Sequence, residues 1–240
     1  MEIERILPFV LIPSLLLIAS LSEAATVVVV LFTGICALYV HFKKHHRNRF
    51  SYYWTLATII YMYLVFEMGI IMLNKITPTE NIVFLIFLSS TWYCLNKMKE
   101  QWKLLKEAKQ NDCSIETSSE LDYNQKGIVE IYFRSVWWDC YIFRENYKHY
   151  LCGHVLAFLT LVYALHLGLT SVCRPYMMFG LVLMTHDCND VYLDVFVAVC
   201  FVTCVYGVVY TIVVSVVLIQ ELLINNYLPM YMDSTSTITV

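Results

Sequence analysis

The chain has 240 residues, of which 59% are hydrophobic and only 15% are charged, and its net charge is −3. A soluble domain would hold roughly 45–50% apolar and about 25% charged residues, whereas here the mean hydropathy reaches +0.63. The composition therefore excludes an ordinary soluble globular protein and indicates an integral membrane protein.

Six apolar runs follow one another along the chain, each near the length needed to cross a hydrocarbon core of about 30 Å. They lie at residues 6–21, 24–42, 52–73, 82–96, 150–171 and 193–223. Six spans are the best count, and four or five remain alternatives because the first and fourth runs are short. The first run holds Pro8 and Pro13 and is followed by Ser22-Glu23-Ala24-Ala25, which resembles a signal-peptide cleavage site. Against a signal peptide, Glu2 and Glu4 stand where a positive cluster is expected.

Lysine and arginine side chains are distributed unevenly between the predicted loops. All of the 16 except Lys75 and Arg174 lie before the first span, between the second and third, or after the fourth. The positive-inside rule therefore places both termini and residues 97–149 in the cytosol, and it explains the cationic clusters without nucleic-acid binding. The predicted organisation is N-terminal spans in 1–96, a cytosolic segment at 97–149, a C-terminal pair of spans in 150–224 joined by a lumenal loop at 172–192, and a flexible cytosolic tail at 225–240.

The cytosolic segment has three parts. Residues 97–109 mix lysines with Trp102 and leucines, a pattern typical of a helix along a membrane surface. Residues 111–124 are polar and predict a loop. Residues 127–133 form an apolar, β-branched run that predicts a short strand.

The end of this segment reads Ser135-Val136-Trp137-Trp138-Asp139-Cys140 and then Asn146-Tyr147-Lys148-His149-Tyr150. It resembles the end of the cysteine-rich domain in the DHHC family of protein S-acyltransferases, the palmitoyltransferases. There the nucleophilic Cys is followed by Pro-Trp or Val-Trp, and an Asn eleven positions after it leads through an aromatic residue into the next span. Ser135 stands in the place of that Cys, and Cys140 is one position early for the family's structural Cys. The resemblance implies binding roles for Trp137, Asn146 and Tyr150.

The resemblance comes without the residues that carry the family's chemistry. The D-H-H-C tetrad aligns with Tyr132-Phe133-Arg134-Ser135, so no histidine stands beside the hydroxyl to activate it. The positions of the family's zinc ligands fall on residues that are neither Cys nor His: Glu120, Leu121, Asn124 and Gly127. We therefore expect no zinc and an inactive member of the family. Ser135 remains a candidate catalytic residue by position, and Cys140 is a second one with His149 as its base.

Two further patterns of polar and cysteine residues bear on possible sites. Cys173 and Cys188 both fall in the predicted lumenal loop, where an oxidising compartment would allow a disulfide between them. His149, Cys152 and His154 have a spacing compatible with metal binding, but they lack a fourth ligand. No metal site is predicted.

The sequence thus predicts an all-α polytopic membrane protein with a small cytosolic segment between the fourth and fifth spans. The resemblance implies an endoplasmic reticulum or Golgi membrane, contact with membrane lipid, and a role without catalysis. That role would be binding of acyl-CoA or another lipid, or association with an active acyltransferase or its protein substrates. Two alternatives stay open: an active palmitoyltransferase with a non-standard nucleophile, and a receptor or transporter unrelated to the family.

Overall fold

The fold is given by a computed structural model, which describes residues 3–42, 49–70, 73, 76–115, 131–135, 137–178 and 182–231. Its α-helices are α1 (Ile3–Ala19), α2 (Glu23–Phe42), α3 (Arg49–Val65), α4 (Pro78–Ile115), α5 (Arg144–Val172) and α6 (Val195–Tyr231). A π-helical turn at Phe66–Ile70 continues α3, and a 3-10 helix at Asn189–Leu193 precedes α6. Two antiparallel hairpins are formed by β1 (Ile131–Ser135) with β2 (Cys140–Phe143), and by β3 (Arg174–Met178) with β4 (Val182–Asp187).

The helices form an all-α membrane architecture. Four of the described helices are long and apolar enough to cross a membrane: α2, α3 with its π-helical turn, α5 and α6. The helix α1 is apolar but shorter, and α4 is 38 residues long with its apolar residues in the first half. Large apolar side chains such as Val28, Phe32 and Ile212 face outward. An outward apolar surface of this extent is stable against lipid rather than water.

The helix α1 packs into the bundle core although it contains two prolines. Its Ile12 and Leu16 are buried against Ala57 of α3 and Val202 of α6. Pro13 has no N–H to donate to the carbonyl group of Phe9, four residues earlier. Tyr61 of α3 donates a hydrogen bond to that carbonyl oxygen instead, at 2.8 Å. The interhelical bond keeps a backbone acceptor satisfied where no water is available to bond it.

The hairpin β1–β2 covers one end of the bundle, which we call the hairpin end. Ser135 and Cys140 face each other across the turn of this hairpin, and Asp139 adopts a left-handed backbone conformation with φ of 47°, which Asp tolerates better than most residues. Trp138 and Ile142 pack on Met98 of α4. The hairpin is therefore anchored on the helix bundle at this end.

The opposite end, which we call the disulfide end, holds the hairpin β3–β4 and the 3-10 helix. Cys173 and Cys188 form a disulfide with Cα atoms 4.8 Å apart. A guanidinium nitrogen of Arg174 lies 2.9 Å from a carboxylate oxygen of Asp190 and forms an ion pair with it. The hydroxyl groups of Thr26 and Tyr192 lie 2.7 Å apart and connect the 3-10 helix to α2.

The structure corrects several boundaries expected from the sequence. The prediction of a loop at 111–124 is wrong for residues 111–115, because α4 continues to Ile115. Extending an existing helix costs far less free energy than starting a new one. For the same reason α6 runs to Tyr231, so the first seven residues of the tail expected at 225–240 are helical. The strand expected at 127–133 is observed as β1 from Ile131 to Ser135. Residues 116–130 and 232–240 lie outside the described residues.

Candidate functional site

An elongated cavity of about 190 Å³ lies between α3, α4, α5 and α6. Its lining extends from Thr55 to Ile70 along α3 and its π-helical turn, and from Thr203 to Val217 along α6. At a rise of 1.5 Å per residue these stretches are about 22 and 21 Å long. The cavity is therefore long relative to its volume, and it runs from Trp137 at the hairpin end toward Ile70 at the disulfide end.

The threonine hydroxyl groups on the cavity wall are already hydrogen-bonded within the protein. Thr58 donates to the hydroxyl group of Tyr210 at 3.1 Å. The hydroxyl groups of Thr91 and Thr160 lie 3.2 Å apart between α4 and α5. Thr203 donates to a backbone carbonyl group of its own helix. Because these groups bond each other or their own helices, the wall presents an apolar surface that suits an aliphatic ligand.

His154 lines the cavity near the hairpin end and is 6% exposed. Its Nδ1 lies 2.8 Å from the carbonyl oxygen of Tyr150. A carbonyl oxygen can only accept, so Nδ1 carries the proton and, in the neutral ring, Nε2 is an acceptor. No described residue bonds that Nε2 atom. This end of the cavity therefore contains an unused hydrogen-bond acceptor.

Trp138 lines the same end and is 9% exposed. Its Nε1–H has no hydrogen-bond partner among the described residues. The ammonium group of Lys99 lies 5.6 Å from the Trp138 ring centre and 3.9 Å from that of Tyr52. One turn away, the hydrogen bond from Lys97 to Glu100 raises the pKa of Lys97 and lowers that of Glu100. Lys99 with Tyr52 and Trp138 makes this part of the hairpin end cationic and aromatic, whereas the Lys97–Glu100 pair is neutral overall.

Trp137 joins the hairpin to two helices through His41. Its Nε1–H donates to Nδ1 of His41 at 3.3 Å, and Nε2 of His41 lies 2.6 Å from Oε1 of Gln220 on α6. A neutral His41 protonated on Nε2 satisfies both bonds. Of the residues with expected binding roles, Trp137 is the one that lines the cavity.

The two candidate catalytic residues lie beside each other behind the cavity wall. Ser135 and Cys140 are opposite partners in the hairpin and are 4% and 2% exposed. Directly opposite residues of antiparallel strands place their side chains on the same face. Neither residue is among those that line the cavity. The hydroxyl group of Ser135 has no hydrogen-bond partner among the described residues, so none of them is bonded to it as a base.

Asn146 and Tyr150 are buried at the start of α5. Oδ1 of Asn146 accepts from the backbone N–H of Phe143 at 2.9 Å, and its Nδ2 donates to the carbonyl group of Tyr141 at 3.0 Å. These bonds tie β2 to the first turn of α5. Tyr150 is 2% exposed and its ring centre lies 4.2 Å from that of His154. Both residues support the cavity end from behind and do not line it.

The remaining expected sites lie apart from the cavity or show no metal geometry. The disulfide Cys173–Cys188 is at the opposite end of the bundle. Within the described residues, no three His, Cys, Asp or Glu side chains lie close enough to hold a metal ion. The positions aligned with the family's zinc ligands, residues 120–127, lie outside the described part of the chain.

Comparison of the chain with protein-family models, with characterised proteins and with solved structures found no match. The similarity to S-acyltransferases therefore depends on the residues of the segment 120–150 and on the predicted arrangement of the spans, and it stays an expectation from the sequence.

The family resemblance implied an acyl-chain cavity between the spans, but the sequence identified neither the residues that line it nor the polar groups at its end. Sequence reasoning considered His154 only as a metal ligand, and it did not single out Trp138 or His41. A histidine within a predicted span was the available signal, since ionisable groups inside a membrane are costly and usually functional. Its partners could not be named, because they come from elements far apart in the chain.

Proposed function

We propose that this protein binds a single aliphatic lipid chain inside its helix bundle, on a scaffold that resembles the S-acyltransferases but does not transfer acyl groups. The supporting observation is the cavity, whose threonine hydroxyl groups are hydrogen-bonded internally. The interior of such a cavity has little affinity for ions or polar solutes, which disfavours a transporter or channel path through it.

The length of the cavity suits one acyl chain. A hydrocarbon core of about 30 Å contains two leaflets, so one lipid chain extends about 15 Å. The cavity linings on α3 and α6 are about 22 and 21 Å long by helix rise. The cavity is therefore long enough for a single chain, which we place with its head group at Trp137 and Trp138 and its methyl end toward Ile70 and Phe84.

The proposal includes six spans, so that α1 and α4 also cross the membrane. The helix α1 buries Ile12 and Leu16 in the bundle core. The first half of α4 shows apolar side chains on its outer face, including Ile82, Val83 and Ile86. In this arrangement the hairpin end and both termini are cytosolic, and the disulfide end faces the lumen of the endoplasmic reticulum or Golgi.

The environment of the two candidate nucleophiles, Ser135 and Cys140, supports a role without acyl transfer. Ser135 is buried and has no hydrogen-bonded base in the part of the chain that the structure describes. Cys140 is packed in an apolar cluster with Leu95 and Met98. A serine hydroxyl needs an adjacent base, and a thiol reacts as the accessible thiolate.

Photo-crosslinking tests the proposal. Membranes that contain the protein are incubated with a fatty acid carrying a diazirine and an alkyne, irradiated, and the labelled peptides identified by mass spectrometry. We expect labels on cavity residues of α3, α5 and α6. In Ala157→Phe, which fills the cavity, labelling should fall at least severalfold. Val155→Phe, on the outer face of the same helix, is the matched control and should label as the native protein does.

The same labelling separates binding from catalysis. When the probe is supplied as its CoA thioester, so that CoA can act as the leaving group, we expect no covalent label without irradiation. A hydroxylamine-sensitive label that appears without light and disappears in Cys140→Ala would show an active acyltransferase instead. Labels confined to outward-facing residues in all three proteins would refute chain binding.

A further inference from the structure

The hairpin end of the cavity combines an unused acceptor with an unused donor. Nε2 of His154 accepts no hydrogen bond from a described residue, because Nδ1 holds the ring's proton on the Tyr150 carbonyl group. Nε1–H of Trp138 has no partner among the described residues. Both side chains are more than nine-tenths buried, and both line the cavity. Buried polar groups are normally hydrogen-bonded, and leaving one unpaired is costly.

A carboxylic acid group offers the complementary pair. Its O–H can donate to Nε2 of His154, and its carbonyl oxygen can accept from Nε1–H of Trp138. A thioester or an ordinary ester has a carbonyl oxygen but no O–H, so it would leave His154 unpaired. The proton can lie on the carboxyl group or on Nε2, and in both cases the pair carries no net charge. A neutral pair is far less costly to bury than an isolated carboxylate.

We infer that the ligand is an unesterified long-chain fatty acid, with its carboxyl group at His154 and Trp138. This inference rests on the proposed chain-binding function. The chain then extends along the apolar wall toward Ile70. Lys99, near Trp138 and Tyr52, adds positive charge at this end, but it would attract any anionic head group. His154 selects the free acid over an acyl thioester, because only the acid has an O–H group to donate, whereas Trp138 would bond the carbonyl oxygen of either ligand.

Competition for the photo-crosslinking site tests the inference. Purified protein in lipid nanodiscs is labelled with the diazirine fatty acid in the presence of palmitic acid, methyl palmitate or palmitoyl-CoA. Palmitic acid should compete about tenfold better than methyl palmitate, the effect of one buried hydrogen bond. In His154→Phe, the two competitors should become equal within about twofold. Trp138→Phe should weaken competition by the acid and by the methyl ester alike and retain most of the preference, because both ligands offer a carbonyl oxygen.

Thr160→Val is the matched control, because Thr160 lines the same cavity but its hydroxyl group already bonds a carbonyl group of α5. It should retain the preference for the acid. Equal competition by acid and methyl ester in the native protein would overturn the inference while leaving chain binding intact. Stronger competition by palmitoyl-CoA than by palmitic acid would overturn it in favour of an acyl thioester. No specific labelling by any probe would refute the proposed function itself.

Discussion

At the scale of single residues, Asn146 shows how a position expected to bind a ligand is used for structure. Its side chain bonds the N–H of Phe143 and the carbonyl group of Tyr141, and it is fully buried. Asn146→Ala removes the acceptor of the buried Phe143 N–H. We expect the variant to lose about 1–3 kcal/mol of stability, measured by thermal unfolding of the purified protein in detergent.

The neighbouring Glu145→Ala provides the control, because Glu145 is exposed in the same turn of α5 and should leave stability unchanged. The result also separates a supporting role from direct ligand contact. If Asn146→Ala unfolded at the native temperature but bound the fatty-acid probe more weakly, the binding role implied by the family resemblance would be correct. The structural role would then be wrong.

At the scale of elements, close contacts between helices α5 and α6 shape one wall of the cavity. A Cβ atom on Gly168 of α5 would lie 2.6 Å from Sγ of Cys204 and 3.2 Å from Cδ1 of Ile70. Glycine permits this approach, as small residues do between membrane helices. Gly168→Ala should therefore cost about 1–3 kcal/mol through overpacking, measured by thermal unfolding in the same detergent.

A double variant identifies the cause of that loss. Gly168→Ala combined with Cys204→Ala removes the sulfur atom that the new methyl group would meet, so stability should recover relative to the sum of the two single variants. Strictly additive losses would show that the contact with Cys204 is not the source of the strain.

The elements themselves could be predicted from the sequence to different extents. Each apolar run corresponds to a helix, because a segment of lipid-facing backbone must satisfy its hydrogen bonds internally. The residues that line the cavity could not be predicted, because Thr58, Thr160 and Tyr210 come together only after α3, α5 and α6 have packed. The same holds for the pairing of Ser135 with Cys140, which depends on the turn at Asp139. The polar composition after residue 110 predicted too early an end for α4, because helix propagation overrides a weak local preference for a loop.

At the scale of the whole molecule, the described cationic side chains lie predominantly at one end of the bundle. Seven are at the hairpin end, namely Arg5, Lys97, Lys99, Lys103, Lys106, Arg144 and Lys148, whereas Arg174 is at the disulfide end. The positive-inside rule then predicts that the hairpin end faces the cytosol. An oxidising lumen at the other end agrees with the disulfide there.

Glycosylation mapping tests this orientation and the number of spans together. Acceptor sites for N-linked glycans are inserted one at a time before α1, within 71–77, within 116–130 and within 179–181, and each variant is expressed in microsomes. Six spans predict glycosylation within 71–77 and 179–181 only, seen as a mobility shift that a glycosidase removes. Glycosylation before α1 would show that α1 does not cross the membrane. Glycosylation within 116–130 would show that α4 does not cross the membrane. It would also place the head-group end of the cavity in the lumen.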